Sequence, residues 1–194
     1  LDSMVLLHAL KSVHDSITVA HINYKLRAED SNEDALLVKR ISKTYDLPFR
    51  ILENDLKIDL ERNGGNLQEK ARNIRYSFFN SLIQEHADSK IVLAHHINDQ
   101  IENFWMQMAR GGGIGSMSGM KELNDNIIRP LLSISKAELS VYAAKHDIEW
   151  REDESNKHNT YTRNIWRNVL IPDLKKTIPH IDDSVMKLQD VFRI

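Results

Sequence analysis

Hydrophobic residues recur along the chain with two different periods, and segments of the two kinds alternate. Short runs rich in β-branched residues predict three buried strands, at 16–22, 48–55 and 90–96. Longer segments with apolar residues at helical spacing predict helices, at 1–10, 30–46, 66–87, 98–108 and 135–146. Because strands that alternate with helices are joined by crossover connections, we expect an α/β fold with a largely parallel sheet and helices on both faces.

The hydrophobic pattern changes at Trp150. Residues 151–164 (REDESNKHNTYTRN) are polar and predicted to be irregular, and two further helices are predicted at 165–176 and from Pro179 onward. We therefore expect an α/β domain at 1–149, followed at 150–194 by a polar segment and a helical linker toward a further domain. Both ends are expected to be truncated, because no strand leads into the first helix and the chain stops inside the last one.

Composition narrows the class of protein. Charged residues make up 28% and hydrophobic residues 41% of the 194 residues, which is typical of a soluble globular protein. No apolar run approaches the roughly 18 residues that span a membrane, so a cytoplasmic protein is expected. The absence of cysteine excludes disulfides, thiolate catalysis and Cys-ligated zinc or iron–sulfur clusters within these residues. With a formal net charge of −2, any contact with nucleic acid must be local.

Two polar residues mark the start of the first predicted helix. In a parallel α/β sheet, ligands bind at the carboxyl ends of strands, and phosphates favour helix N-termini, where free N–H groups point outward. Asp2 and Ser3 occupy such a corner. Asp2 is either a simple helix cap or a ligand of a Mg²⁺ ion that bridges it to a phosphate.

A second polar cluster, AHHINDQIEN at 94–103, follows the third predicted strand. It contains His95, His96, Asp99 and Glu102. Asp99 and Glu102 are three residues apart and therefore share a face of the predicted helix. Two carboxylates in this position suit a metal ion or a substrate ammonium group, or they are a first-turn carboxylate and an ordinary surface one.

Arginines and glycines supply further candidates. Arg110 precedes three successive glycines in ARGGGIGSMSGM, an arrangement that suits an anion site or a mobile lid, or a helix end followed by a flexible loop. Two arginine pairs lie at helical spacing, Arg72 with Arg75 and Arg163 with Arg167. Such pairs clamp phosphates or a nucleic-acid backbone, or they belong to solvated faces and internal salt bridges.

In their order along the chain, these motifs resemble the tRNA(Ile)-lysidine synthetases, a family of PP-loop ATP pyrophosphatases. LDS with MVLLHAL resembles the second half of the family signature SGGxDS and the helix behind it, without the preceding strand and SGG. Further matches are HINYKLR, ARNIRY, AHHINDQIEN, RGGGIGSMSGM, RPLL and DESNKHNTYTRNIWRNVLIPDL. The resemblance covers nearly the whole chain, and it implies that 1–149 is a PP-loop ATPase domain of the adenine nucleotide alpha hydrolase type.

The resemblance implies an ATP-dependent ligase that forms a carbon–nitrogen bond. ATP adenylates the carbon-2 carbonyl oxygen of the wobble cytidine in the CAU anticodon of tRNA(Ile), pyrophosphate leaves, and free L-lysine displaces AMP. Division into two steps replaces a poor leaving group by a good one. ATP, Mg²⁺, L-lysine and tRNA(Ile) are the implied ligands, and a homodimer is left open.

The resemblance also implies roles at the nucleotide. Asp2 would hold phosphate-bound Mg²⁺, and Ser3 would donate a hydrogen bond to a phosphate oxygen. Ile22 and Asn23 would border the adenosine, and His96 is a further residue expected at ATP.

The remaining candidates are expected at lysine and at tRNA. Asp99 and Glu102 would position the lysine, at its α-amino end, because a carboxylate stabilises an ammonium whereas only a neutral amine attacks. His95 or His96 would accept the proton. Arg110 would close with its loop over the reacting base. The tRNA backbone is expected to contact the two arginine pairs, Arg72, Arg75, Arg163 and Arg167.

Four positions depart from the family pattern. Tyr24 and Lys25 stand where the family commonly has His-Gly, Asn98 where it has a first Asp, and Ser116 where it has a glycine. Two alternative functions stay open. One is another PP-loop tRNA-modifying enzyme of the thiolase type, although many of these need cysteines for sulfur transfer. The other is a non-catalytic module that binds adenine nucleotides.

Overall fold

The computed structural model of the chain describes residues 1–27, 29–86, 88–152 and 162–193. They form two compact units, the parallel-strand unit (Leu7–Ile91) and the helical unit (Leu1–Leu6 with Val92–Ile194). Of the predicted polar segment, residues 153–161 lie outside the described residues. The predicted domain boundary between 149 and 150 falls within the helical unit. Helix α1 (Asp2–Lys11) begins as predicted, and its residues 2–6 belong to the helical unit.

The parallel-strand unit contains a strand–helix–strand crossover. Its elements are β1 (Val19–Asn23), α2 (Glu29–Thr44), β2 (Phe49–Glu53), α3 (Leu56–Asn63) and α4 (Leu67–Glu85). Strands β1 and β2 pair in parallel, with Val19 opposite Phe49, and α2 connects them and buries Ala35 and Leu37. The parallel pairing and the intervening helix agree with the sequence pattern.

Helix α3 was not predicted. The sequence pattern extends the second strand to Asp55, but this residue is the N-cap of α3, and its carboxylate accepts the N–H of Ile58. Gly64 ends the helix with a φ of +61°, a conformation that glycine adopts without strain. The predicted break at 63–65 is therefore the end of one helix and the approach to the next, α4, which Asn66 caps.

The helical unit contains most of the remaining helices and a small sheet. Strand β3 (Ile91–Val92) begins at the last residue of the parallel-strand unit and ends at Val92 of the helical unit. The further elements of the helical unit are α5 (Ile97–Ala109), α6 (Ile114–Met117), β4 (Leu123–Asn124), β5 (Ile127–Ile128), α7 (Lys136–Lys145), α8 (Thr162–Ile165), a π-helical turn (Trp166–Leu170), α9 (Ile171–Thr177) and α10 (Ile181–Phe192). The sheet has the strand order β3-β5-β4, and β4 and β5 form an antiparallel hairpin that was not predicted. The predicted third strand, 90–96, is shorter in the structure: β3 covers Ile91–Val92, and His96 is already the N-cap residue of α5.

The core of the helical unit lies between α5 and the C-terminal helices. Ile101 and Phe104 of α5 pack with Ile171 and Val185. This packing holds one side of α5 against α9 and α10, and it brings the polar residues of its first two turns next to the π-helical turn.

The π-helical turn explains how a helix continues past Pro172. The sequence predicts one helix over 165–176, and the structure has helical backbone from 162 to 177 with a π-helical turn inside it. Proline has no N–H and its ring crowds the carbonyl four residues earlier. The wider turn, in which the N–H of Ile171 donates to the carbonyl of Trp166, relieves this crowding.

In the described ranges, no helix combines the length and the apolar character that crossing a membrane requires.

Candidate active site

The start of α5 brings two carboxylates to one side of the helical unit. The Asp99 carboxylate accepts the backbone N–H of His96, the N-cap residue, at 3.0 Å. Glu102 follows one turn later on the same face, as predicted. Only 12% of the Asp99 side chain and 3% of the Glu102 side chain are exposed to solvent. Buried carboxylates need partners, because an unpaired charge in this environment is strongly unfavourable.

Arg163 and Arg167 are those partners. Arg163 Nε lies 2.7 Å from Glu102 Oε2, and its Nη2 lies 2.6 Å from Asp99 Oδ1. Arg167 Nε lies 2.6 Å from Glu102 Oε1, and its Nη2 lies 2.9 Å from Glu102 Oε2. We call these four residues the carboxylate–arginine cluster. The structure thus pairs the two carboxylates, which are expected at lysine, with the two arginines, which are expected at tRNA.

The cluster is balanced in charge and rich in hydrogen bonds. Burial alone would lower the pKa of the Arg167 guanidinium, but the hydrogen bond and charge of Glu102, with Asp99, raise it above its usual value. The two oxygens of Glu102 accept three hydrogen bonds from arginine. Little acceptor capacity of Glu102 is therefore left for a ligand unless an arginine moves.

Asp2 lies beside the cluster, next to His96. Its Oδ2 is 3.6 Å from Nε2 of His96, and the Nδ1 of that imidazole is 3.7 Å from Asp99 Oδ2. Burial alone would raise the pKa of the Asp2 carboxyl, but His96 and the charge of Lys136 hold it below its usual value. Asp2 is therefore ionised at neutral pH. Ser3 lies exposed in the same first turn of α1.

One oxygen of Asp2 suits a phosphate-bound Mg²⁺ ion. Asp2 Oδ1 is buried and has no hydrogen-bond partner among the described residues. Mg²⁺ prefers carboxylate oxygens and often keeps only one or two protein ligands beside substrate phosphates. In the described part of the chain, no three metal-ligating side chains come together. The unpartnered oxygen of Asp2 fits an ion that shares its coordination with the phosphates of a bound ligand.

His95 and His96 occupy different environments. Arg129 is buried, and its Nε donates to Nδ1 of His95 at 3.3 Å. His96 is more deeply buried, and its Nδ1 has no hydrogen-bond partner among the described residues. Of the described contacts, Nδ1 of His95 is therefore occupied by Arg129, whereas Nδ1 of His96 is buried without a described partner.

Arg110 and the glycine loop lie at the far end of α5. Arg110 is the exposed C-cap residue of that helix, and no described contact joins its side chain to the cluster. Gly119, at the other end of the loop, has a φ of +81°. A Cβ there would lie 2.8 Å from both Gln100 Oε1 and Gln189 Nε2. Close packing therefore requires glycine at position 119. Ser116, which stands where the family has a glycine, lies in α6, and its hydroxyl donates to the carbonyl of Gly113.

The remaining predicted residues lie in the parallel-strand unit. Ile22 is half-buried at the end of β1. Asn23 is buried; its amide donates to Asn32 Oδ1 and its carbonyl accepts the N–H of Lys25, so its polar atoms have partners within the unit. Arg72 and Arg75 are exposed on α4. The guanidinium of Arg72 lies over the ring of Tyr76, 4.8 Å from its centroid.

The departures from the family pattern have visible local roles. Lys25 has a φ of +54°, which explains why a glycine suits that position, and its ammonium pairs with Glu53 at 2.8 Å. The hydroxyl of Tyr24 donates to the carbonyl of Ala71. The side-chain carbonyl of Asn98 accepts the N–H of Lys136 at the start of α7, a role that needs no charge.

Lys136 is a candidate that the sequence analysis missed. Its charge lowers the pKa of Asp2, and it follows the N-cap residue of α7, Ser135. The sequence contains one indication of it: a lysine in the first turn of a predicted helix is unfavourable with respect to the helix dipole, which suggests that its charge has a role elsewhere.

The sequence of the chain is similar to that of known proteins. The family model described as a PP-loop domain matches residues 1–174. The bifunctional protein TilS/HprT of Listeria innocua is 39% identical in an alignment of 197 positions that covers 97% of this chain and 30% of that protein. The tRNA(Ile)-lysidine synthase of Thermotoga maritima is 33% identical in an alignment of 198 positions that covers 100% of this chain and 48% of the relative. The chain thus spans less than half the length of these curated relatives.

A solved structure has a similar fold. The U34-tRNA thiolase of Methanococcus maripaludis superposes with a TM-score of 0.77, over 99% of this chain and 69% of that one, at 14% sequence identity. At this identity the likeness concerns the fold alone. It confirms the predicted α/β fold class.

Proposed function

Because the chain belongs to the PP-loop domain family, we propose that it catalyses the ATP-dependent ligation of L-lysine to carbon-2 of the wobble cytidine in the CAU anticodon of tRNA(Ile). The family match covers residues 1–174 and confirms the resemblance read from the motifs. The relatives named tRNA(Ile)-lysidine synthase, in Thermotoga maritima and Bacillus subtilis, support this reaction over others of the family.

The observation that carries the proposal is the carboxylate–arginine cluster beside Asp2. Asp2 is an ionised carboxylate with an unused buried oxygen, which suits the phosphate end of ATP. The cluster supplies two buried carboxylates at the same helix start that are balanced by Arg163 and Arg167, a fixed pattern of charges that suits the orientation of a charged second substrate. In a reaction between a nucleotide-activated carbonyl and an amine, the groups that bind the nucleotide must lie close to the groups that orient the amine.

The proposed reaction has two steps. The carbon-2 carbonyl oxygen of the cytidine attacks the α-phosphorus of ATP, and pyrophosphate leaves. The neutral amine of lysine then attacks carbon-2, AMP leaves with the former carbonyl oxygen, and the amine loses a proton. Adenylation replaces an oxygen that leaves poorly by a phosphate ester that leaves well.

At the nucleotide end, Asp2 would hold a phosphate-bound Mg²⁺ ion, and Ser3 would donate a hydrogen bond to a phosphate oxygen from the first turn of α1. The ion, when bound, stabilises negative charge on the phosphates during adenylation. We assign His96 to the same end and, because its Nδ1 has no described partner, to proton acceptance as well. Ile22 and Asn23 are proposed to border the adenosine.

At the second substrate, Asp99 and Glu102 position lysine indirectly. Their oxygens already accept hydrogen bonds from Arg163 and Arg167. The four groups therefore define a fixed charge pattern that orients an incoming amino acid. The tRNA contact is assigned first to Arg72 and Arg75, whose guanidiniums are exposed, and secondarily to the outer side of Arg163. Arg110 is proposed to approach the reacting base when its loop closes.

Mass spectrometry of the tRNA tests the reaction. The full-length protein is incubated with ATP, L-lysine and a tRNA transcript that carries a CAU anticodon, and the tRNA is digested and analysed. The expected product is a lysine-sized addition to the anticodon cytidine that requires ATP and is absent without lysine. A matched transcript with a different wobble base controls for specificity.

Other results would contradict the proposal. Replacement of an oxygen by sulfur would favour the thiolase-type alternative, although the chain has no cysteine among its 194 residues to assist sulfur transfer. ATP binding without release of AMP and pyrophosphate, in the presence of tRNA and lysine, would favour a non-catalytic nucleotide-binding module.

A further inference from the structure

The segment that leaves β1, residues 23–25, has a closely defined conformation. The buried side chain of Asn23 accepts the backbone N–H of Lys25 at 2.9 Å, and Lys25 has a φ of +54°. The ammonium of Lys25 pairs with Glu53, the last residue of β2, at 2.8 Å. We call residues 23–25 the β1 turn. It lies at the carboxyl end of two parallel strands, the edge at which ligands bind in sheets of this kind.

Tyr24, in the middle of the β1 turn, contacts two helices. Its backbone carbonyl accepts the N–H of Leu56, the first residue of α3, at 3.2 Å. Its hydroxyl donates to the backbone carbonyl of Ala71 in α4 at 2.8 Å, across 47 positions of sequence. Leu56 and Ala71 are both buried, so the two contacts lie on the inner sides of their helices. Tyr24 thus joins the end of β1 to both helices that follow β2.

A second contact holds the same turn of α4. The ammonium of Lys70 lies 2.8 Å from Asp59 Oδ2 and 3.2 Å from the backbone carbonyl of Asp59, in α3. Lys70 is the neighbour of Ala71, the residue that Tyr24 holds. Successive residues of a helix are about 100° apart around its axis. The two contacts therefore act from different directions and fix the rotation of α4 as well as its position.

The arginines of α4 project from this turn. Arg72 follows Ala71 directly, and Arg75 lies four residues beyond Ala71, so its N–H donates to the same carbonyl in a regular helix. Both arginines are exposed, and the guanidinium of Arg72 lies over the ring of Tyr76. The hydroxyl of Tyr24 therefore bonds to the helical turn that presents both arginines.

This hydroxyl contact is a feature of the present chain. Position 24 is one of those at which the chain departs from the family pattern, which commonly has a histidine there. An imidazole ring has no hydroxyl and ends closer to the backbone than a phenol does. It would not reach a carbonyl that the tyrosine hydroxyl meets at 2.8 Å.

We propose that Tyr24 is a positioning residue for tRNA. It holds α4 so that Arg72 and Arg75 meet the RNA backbone at a fixed distance from the strand edge that is proposed to border the adenosine. Tyr24 acts through these arginines and not through a contact with substrate. A helix that is already held in place loses less freedom on binding, which strengthens the complex. The inference rests on the assignment of Arg72 and Arg75 to tRNA in the proposed function, and it adds the residue that orients them.

Equilibrium binding with two matched variants of the full-length protein tests this role. Tyr24→Phe removes only the hydroxyl, and Tyr45→Phe makes the same change just after α2, where the hydroxyl has no hydrogen bond to the described residues. For Tyr24→Phe we expect the Kd for a tRNA transcript with a CAU anticodon to rise roughly three- to tenfold, the effect of one hydrogen bond. The Kd for a non-hydrolysable ATP analogue should stay unchanged. Tyr45→Phe should match the unaltered protein, and an unchanged tRNA Kd in Tyr24→Phe would overturn the inference.

A double-mutant cycle separates positioning from general damage to the fold. Tyr24→Phe is introduced into the unaltered protein and into a variant that carries Arg72→Gln and Arg75→Gln. If Tyr24 acts through the arginines, its replacement should change the tRNA Kd by less than about twofold once they are gone. A fold that is damaged in general would weaken binding in both backgrounds. Equal fold-changes in the two backgrounds would therefore overturn the positioning role.

The positioning role and the proposed reaction fail in different ways, because the binding measurements need no turnover. If the cycle shows the expected dependence on the arginines but no lysine is added to the tRNA, the positioning role stands and the reaction is wrong. If lysine is added but the variant with Arg72→Gln and Arg75→Gln binds tRNA as tightly as the unaltered protein, the reaction stands and the positioning role is wrong.

Discussion

Arg167 holds Glu102 with two parallel hydrogen bonds, from Nε to Oε1 at 2.6 Å and from Nη2 to Oε2 at 2.9 Å, across 65 positions of sequence. The π-helical turn presents the guanidinium, and the second turn of α5 presents the carboxylate. Two-point pairing fixes both distance and orientation. This pair therefore connects the C-terminal helices to the carboxylates of the candidate active site. Neither side chain can turn toward another partner without breaking these hydrogen bonds.

Breaking this pair should destabilise the protein. Arg167→Met leaves Glu102 buried with only Arg163, and we expect a loss of about 2–3 kcal/mol in the free energy of unfolding, measured in urea. The expected loss is smaller than the roughly 3–5 kcal/mol of a fully buried pair because the Arg167 side chain is 25% exposed. Adding Glu102→Gln should cost less than the two single changes together, by about 1 kcal/mol or more.

The exposed pair of Lys176 and Asp173 provides the control. Its atoms are 2.8 Å apart, but both side chains are well exposed. Lys176→Met should change the free energy of unfolding by less than about 0.5 kcal/mol. A similar effect of Lys176→Met and Arg167→Met would mean that burial does not strengthen the Arg167 pair.

Asp2 should be essential for turnover and not for folding. Asp2→Ala in the full-length protein removes the carboxylate proposed for Mg²⁺ and should lower kcat for ATP-dependent lysine incorporation at least about 100-fold. Asp15→Ala, at an exposed position just after α1, should keep full activity. Near-normal turnover of Asp2→Ala, with the fold checked by circular dichroism, would remove Asp2 from the mechanism.

The lowered pKa of Asp2 predicts a defined effect of acid. A carboxyl whose pKa is lower in the folded than in the unfolded state stabilises the fold above the unfolded pKa, about 3.9, and loses this contribution as the pH falls through the folded pKa. The difference in free energy of unfolding between the unaltered protein and Asp2→Asn should be constant above about pH 5 and should shift against the unaltered protein below about pH 4. Unfolding titrations from acidic to neutral pH measure it. A shift in the opposite direction would indicate a raised pKa.

Salt dependence should separate the two arginine pairs. Arg75 is exposed, so Arg75→Gln should reduce the slope of log K for tRNA binding against log salt by about 0.7–0.9, the value for one phosphate contact. Arg163 is already paired with Asp99 and Glu102, and Arg163→Gln should change the slope by less than half as much. Filter binding at several salt concentrations measures both. Equal changes would mean that Arg163 contacts a phosphate directly.

Two glycines of the loop should respond oppositely to alanine. Gly119→Ala places a Cβ at a φ of +81° and against Gln100 and Gln189, and we expect a loss of about 2–3 kcal/mol in the free energy of unfolding. Gly115 lies in α6 with open space around it, so Gly115→Ala should be neutral or stabilise by up to about 1 kcal/mol. Thermal or urea unfolding distinguishes them, and equal effects would contradict the packing at Gly119.

Local chemistry made several parts of this protein readable from sequence. Asn66 and Ser135 cap the helices that follow them because a short polar side chain satisfies free N–H groups in any protein. Asp99 and Glu102 share a face because three residues nearly complete a helical turn. Asp55 is a helix cap where the pattern predicts a strand end, because the same residue type suits both and only the following turn decides between them.

By itself, the sequence determined the alternation of helices and strands, the order of motifs and the family, because all of these depend on spacing between near neighbours. Only the tertiary structure decided which charges meet. Arg163 and Arg167 have the spacing of a phosphate clamp, and Asp99 and Glu102 have the spacing of a cation site, yet they bind each other across more than sixty positions. The partner of a charged side chain depends on which helices pack together, and local spacing carries no information about that packing.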